Sequence, residues 1–317
     1  MWAQIREGSA AKNFEALWPL VRSHPDREML GNDDKHPDGL VDGHIHTLCA
    51  RAVALDVDVF DVLRATCLDP RDHYTLPIGR PRVGDAADMV LLEDLVDFKV
   101  HIIWIEGWSV AANGDTLRDR VPEESPNRFH CAPVRAEDLG VPSTGAERLV
   151  VGAFDGQLIT TRSHIPEHAE NVFSQPDLPH NVLKLVVVDR YTDRYKAVAC
   201  VHGLGLKHGA LSGSVAHGSH NIVAVGTTDQ ELCEVINAVI APKGGISVIH
   251  GGTRRTLPLP VAGPMSDAYS ALARETKALC GHLSAPFMTL SFMAVLVIPR
   301  LKLSDRGLFD GVAFRLI

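Results

Sequence analysis

Residues 221–241 read NIVAVGTTDQELCEVINAVIA, a short strand running into a helix, and this pairing sets the fold class. NIVAVG is β-branched and closes on glycine, whereas DQELCEVINAVIA carries apolar residues at helical spacing. Between them Thr228 and, three residues on, Glu231 make a capping box that fixes the helix start. Upstream, VLKLVVVD (182–189) is a second strand of the same kind. Strands alternating with helices from about residue 149 to residue 317 predict a mixed α/β layer structure.

Residues 118–148, rich in Pro, Arg and Glu with weak periodicity, are expected to connect two domains. Before them, residues 79–117 are short β segments punctuated by glycine, GRPRVGDAADMVLLEDL and then FKVHIIWIEGWSVAANGD. VHIIWI is β-branched and aromatic, and Glu106-Gly107 and Asn113-Gly114 supply turns. Residues 1–78 alternate strand and helix. A short strand ends near Arg6, AAKNFEALWPLVRSH (10–24) is helical, and the run from Arg27 to Asn32 leads into the polar cluster NDDKHPDG. Leu48, Ala52, Leu55, Val59 and Val62 recur at three- and four-residue steps and predict one helix from about His46 to Cys67.

The whole chain, 317 residues with 45% hydrophobic and 22% charged, has the composition of a globular protein of two or three structural units. A net charge of −8 offers nothing general to phosphate backbones, so nucleic acid is not an expected partner. No apolar run approaches the roughly 20 residues of a membrane span. Six dispersed cysteines without a C-x-x-C pair, and an amino terminus without an export signal, predict a cytoplasmic location. The opening residues MWAQIREGSAAKNFEAL read like the middle of a domain.

Three polar constellations invite chemistry. Asp33 and Asp34 follow a short apolar stretch, so their carboxylates emerge at a strand end, the place where α/β barrels keep metal ligands and proton carriers. The competing reading is that they cap a helix or solvate a loop. Gly43-His44-Ile45-His46 matches an H-x-H metal pair in outline. Because the helical pattern begins at once, side chains two apart diverge by roughly 200°, and the two histidines are expected not to share an ion. In SVAHGSHN (214–221), His217 and His220 lie among small residues that allow close backbone approach. They could bind a metal or a substrate, or simply satisfy buried carbonyls in a turn. Dinucleotide, P-loop, G-x-S-x-G and H-x-E…P-C-x-x-C signatures are absent.

Read in order, IREGSAAKNFEAL, NDDKHPDGL, GHIHTLCARAVALDVD, LRATCLDPRDHYTL and GDAADMVLLEDLVDFKV resemble the closing part of the adenine deaminase barrel, in the amidohydrolase superfamily, and its attached β domain. HGLGLKHGALSGSVAHGSHNIVAVG, LPLPVAGPMSD and APFMTLSFMAVLVIPRLKLSDRGLFD resemble that family's carboxy-terminal domain. The resemblance implies an α/β chain in four parts. These are the end of a partial (β/α) barrel (1–78), a small composite β domain (79–117), a connection (118–148) and the carboxy-terminal domain (149–317).

It also implies hydrolysis of adenine to hypoxanthine and ammonia with a divalent metal, manganese or iron. Asp33 matches the family's strand-end aspartate, the metal ligand and proton shuttle, and is the single metal ligand expected of this chain. His217, Ser219, His220 and Asn221 are expected near the substrate. Two departures stand out: Asn32 replaces the family's threonine, and Gly218 replaces the aspartate of His-Asp-Ser-His-Asn. The first six barrel strands have no counterpart before Met1, so a separate amino-terminal barrel polypeptide and a homo-oligomer are expected, and the isolated chain is expected to be inactive. The alternative is a non-catalytic remnant or assembly subunit of a split amidohydrolase.

Overall fold

Alternating strand and helix at the amino terminus produce one parallel pair. The structure, a computed structural model, describes residues 1–119, 127–140, 147–166, 176–259 and 265–317. Strands β1 (Ala3–Arg6) and β2 (Glu28–Gly31) run in parallel with Arg6 opposite Gly31, and helix α1 (Phe14–Ser23) supplies the crossover that parallel strands require. There follow α2 (Pro37–Asp42), α3 (Ile45–Ala54), α4 (Val59–Leu63), a π-helical turn at Arg64–Leu68, and α5 (Asp69–Tyr74). Ile5, Phe14, Val21, Leu30, Leu48, Ala52 and Val62 close a core among them.

The single helix expected from His46 to Cys67 is therefore broken. Asp56 takes a left-handed backbone (φ 61°), and the Asp58 carboxylate accepts a hydrogen bond from the Phe60 N–H at 2.8 Å, starting α4 afresh. The apolar spacing runs across the break because α3 and α4 bury the same side of the chain in one core.

Residues 79–117 form an antiparallel meander of β3 (Met89–Leu92), β4 (Val100–Ile105), β5 (Trp108–Ala112) and β6 (Asp115–Thr116). Glu106, Gly107, Asn113 and Gly114 all have positive φ (51°, 83°, 53° and 89°), which suits the tight hairpin turns expected there. Met89, Val90 and Leu91 are all exposed, and only Leu92 of β3 packs against the core.

The chain divides into two compact units, Met1–Ser125 and Pro126–Ile317. The second contains β7 (Glu147–Gly152), β8 (Thr161–Pro166), β9 (Val182–Val188), β10 (Lys196–His202), β11 (Ala210–Gly213), β12 (Ile222–Gly226), α6 (Asp229–Ile240), β13 (Gly245–His250) and β14 (Thr253–Pro258). It ends with α7 (Met265–Cys280), α8 (Pro286–Phe292) and the small sheet β15 (Leu301–Ser304), β16 (Gly307–Asp310) and β17 (Arg315–Leu316). The eight strands lie in the order β14-β13-β11-β12-β9-β10-β7-β8, antiparallel except between β7 and β10.

Helix α6 crosses β11, β12 and β13, while α7, α8 and β15 pack on the same sheet. As the capping box predicts, the Thr228 hydroxyl accepts from the Glu231 N–H at 3.2 Å. The Glu231 carboxylate in turn accepts from the hydroxyls of Thr227 and Thr228.

Every residue of β9 is buried. Val186 and Val188 meet Leu232, Ile236 and Val239 of α6. Phe129, Val134 and Leu139, in the segment expected only to connect, join this core, and the Asn237 amide bonds both the N–H and the carbonyl of Val134. The flanking parts of that segment, residues 120–126 and 141–146, lie outside the described residues.

Two lysines are buried in this unit. Lys184 donates to the Leu139 carbonyl at 3.0 Å and to Asp229 at 2.5 Å. Lys302 donates to the carbonyls of Leu158 (2.9 Å) and Phe292 (2.8 Å), and burial pushes its amine down to about 7.

Candidate functional site

Asp33 follows β2 by two residues, so the sequence expectation of a strand-end carboxylate matches its position. Its side chain is partly exposed, and Arg6 at the end of the paired strand β1 holds its Oδ2 through the guanidinium. Oδ1 makes no hydrogen bond among the described residues. The strand register produces this pair: Arg6 is level with Gly31, and the chain turns at Asp33 through a left-handed backbone (φ 51°).

Asp34 does something different. It is buried and accepts from the backbone N–H groups of Ala10 (3.1 Å) and Ala11 (3.2 Å), fixing the loop after β1. Asp34 thus has a structural role, although it neither caps the next helix nor solvates a loop. Gly8 is required at this closure, because a Cβ there would lie 1.6 Å from Asp34 Oδ1.

Asn32 is buried with both amide atoms lacking partners among the described residues. Glu28 is buried too, and burial raises its carboxyl above the ordinary range, against a smaller opposing pull from His24.

His44 precedes α3 and His46 lies in its first turn, as the helical spacing predicts. Burial and then the nearby Lys35 charge lower both imidazoles. Lys35 donates to the Gly43 carbonyl at 2.7 Å, and burial lowers its amine, opposed in part by Glu7. Among the described residues no three His, Cys, Asp or Glu side chains converge as a metal site.

The histidine-bearing loop belongs to the second unit, between β11 and β12. His217 stacks on Phe292 (centroids 4.6 Å apart) and its Nε2 lies 3.0 Å from Met288 Sδ. The Ser219 carbonyl accepts from the Tyr191 hydroxyl (2.9 Å), and Asn221 is buried, its Oδ1 accepting from the Arg190 N–H at 3.4 Å. His220 is exposed and turns back on itself with φ 53°, its N–H donating to the Ala216 carbonyl. Burial, then Arg190, then His217 lower its imidazole. Sequence reasoning did not find Arg6, Lys35 or Arg190. Arg6 had one usable signal, its place at the end of the first expected strand, but not its partner.

The sequence model of the adenine deaminase C-terminal domain matches residues 157–315. This chain belongs to the adenine deaminase family. It is 47% identical to an adenine deaminase of Salinibacter ruber, 45% identical to one of a Sulfurovum species and 40% identical to one of Parabacteroides distasonis. In each case 99% of this chain is covered, and it spans 59% of the relative's length. The adenine deaminase match takes in the 214–221 loop as well as β12 and α6, the elements from which the α/β reading began. No helix among the described residues is long and apolar enough to cross a membrane.

Proposed function

We propose that this chain is the part of an adenine deaminase that supplies the strand-end carboxylate for hydrolysis of adenine at C6 to hypoxanthine and ammonia. The observation that carries the reading is Asp33 at the carboxyl end of the parallel pair β1/β2, steered by Arg6 through one oxygen and with the other unengaged among the described residues. A carboxylate so held takes the proton of an attacking water and returns it to the leaving amine. The loop fixed by Asp34 keeps this carboxylate in place.

A divalent ion, manganese or iron, belongs to the proposal by resemblance. The described residues do not by themselves fit one: Asp33 is a single carboxylate already engaged by a guanidinium, and no three candidate ligands converge. Further ligands are needed for a metal centre, and none of the roles given to Asp33 and Arg6 depends on how the ion is held.

His217, Ser219, His220 and Asn221 are proposed as substrate-proximal. Support is strongest for Ser219 and His220, which remain exposed. His217 is taken up by Met288 and Phe292.

The exposed apolar side chains of Met89, Val90, Leu91, Ile105 and Trp108 favour a second, compatible reading, in which the small meander serves assembly with another polypeptide or another copy.

The deciding experiment is ammonia release from adenine by the assembled enzyme carrying Asp33→Asn. Loss of about 10²–10⁴-fold in turnover is expected for a proton carrier, and turnover like the wild type would sink the assignment. The chain alone should release no more ammonia than its Asp33→Asn control.

A further inference from the structure

Arg190 follows β9 at the end where the β11–β12 loop turns, and its surroundings are unusual for an arginine. Its Nε is buried without a hydrogen-bond partner, and among the described residues no carboxylate pairs with its guanidinium. The guanidinium lies 5.6 Å from the ring centre of Phe129 and 5.0 Å from that of Tyr191, and one terminal nitrogen reaches the Tyr191 hydroxyl at 3.3 Å. The nearest acidic side chain in sequence, Asp189, is occupied by its own turn through the N–H groups of Tyr191 and Thr192 and the Thr192 hydroxyl.

His220, on the exposed loop, lies within electrostatic reach of Arg190: burial first, then the guanidinium, then His217 lower its imidazole. The space beside them is open: His220 and Ser219 are exposed, and a side-chain carbon placed on Gly218 would meet nothing within 4 Å.

A guanidinium set on aromatic rings beside His220, with no carboxylate partner among the described residues, is suited to an anion. We propose that Arg190 and the loop 217–221 bind an oxyanion of the phosphate class. The planar fork offers geometry suited to two phosphate oxygens, and His220 adds a third donor once the anion's charge favours its protonated form. Two sources share this chemistry, free inorganic phosphate and the phosphate group of a purine nucleotide.

Calorimetric titration of the full chain at constant ionic strength separates them, using inorganic phosphate, adenosine 5′-monophosphate and adenosine as three arms with chloride as the counter-ion control. Both phosphate-bearing ligands are expected to bind and adenosine to bind far more weakly. Equal affinity identifies free phosphate as the occupant, and tighter binding of the monophosphate identifies the nucleotide. Arg190→Gln should weaken binding about tenfold or more, the usual worth of a charge-assisted pair, and Arg190→Lys by a smaller factor because it keeps the charge and loses the fork.

Since Arg190 also packs on Phe129, thermal unfolding must show each variant folded. Ser219→Asp provides an independent check, placing a carboxylate in the exposed loop without touching Arg190, and it should also weaken binding. Absence of phosphate binding at millimolar concentration, or undiminished affinity in Arg190→Gln, overturns the proposal.

Discussion

VLKLVVV of β9 and MVLL of β3 are similarly apolar, yet every side chain of the first is buried and most of the second is exposed. β9 sits between β12 and β10 in the middle of an eight-stranded sheet, with α6 on one side and β15 packed against it as well. β3 is the edge of a four-stranded meander, and of its four side chains only Leu92 packs against a core among the described residues. Apolar sequence therefore specifies a demand for cover, and the surrounding elements decide whether that demand is met.

A charge placed at equivalent points tests this contrast most severely. Val186→Asp puts an unpaired carboxylate into the centre of the α6 core and should cost more than about 4 kcal/mol, enough to unfold the second unit. Leu91→Asp on β3 should change stability by no more than about 0.5 kcal/mol. All four tryptophans, Trp2, Trp18, Trp104 and Trp108, lie in the first unit, so in urea their fluorescence reports that unit while circular dichroism also sees the second. A large loss from Leu91→Asp would mean that β3 is covered in solution.

Next in size is the ion pair beneath β9. Asp229→Ala leaves the Lys184 ammonium buried with only the Leu139 carbonyl as partner, and should destabilise the second unit by about 3–5 kcal/mol. A cost below about 1 kcal/mol would show that water reaches the lysine.

A further effect concerns Lys302, whose amine burial lowers to about 7 from an ordinary value near 10.5. Above pH 7 the unfolded chain keeps this proton while the folded one releases it, so folded stability rises with pH until the unfolded amine also titrates. From pH 7 to pH 8.5 the wild type should gain about 1.5–2 kcal/mol relative to Lys302→Met. Parallel pH profiles for the two proteins would mean that Lys302 is charged in the folded state.

How much of this was legible beforehand depends on how local each cause is. The Thr228–Glu231 cap, the Glu106-Gly107 and Asn113-Gly114 turns and the strands 182–188 and 222–226 were readable because each is set by neighbours in sequence. The break at Asp56 was not, because apolar spacing records which side is buried and runs unbroken through a kink whose two arms share a core. The role of 127–140 was hidden likewise, since Phe129, Val134 and Leu139 gain their meaning only from α6, roughly a hundred residues away.

In the candidate site, the position of Asp33 was readable from the strand before it. Its engagement by Arg6 depends on a parallel register that sequence spacing does not display. That no carboxylate among the described residues pairs with Arg190 is more remote still, being a property of what the neighbourhood omits.

The central place of β9 also constrains how the second unit assembles. β9 joins β10 through a short turn, whereas β7 reaches β10 only across a much longer stretch of chain. Closing the short loop costs less entropy, so the β9–β10 hairpin is available first and the parallel strand must find an edge that already exists. On this ground the sheet is expected to grow outward from the β9–β10 hairpin, which slower refolding of a β9 variant than of an equally destabilised β7 variant would check.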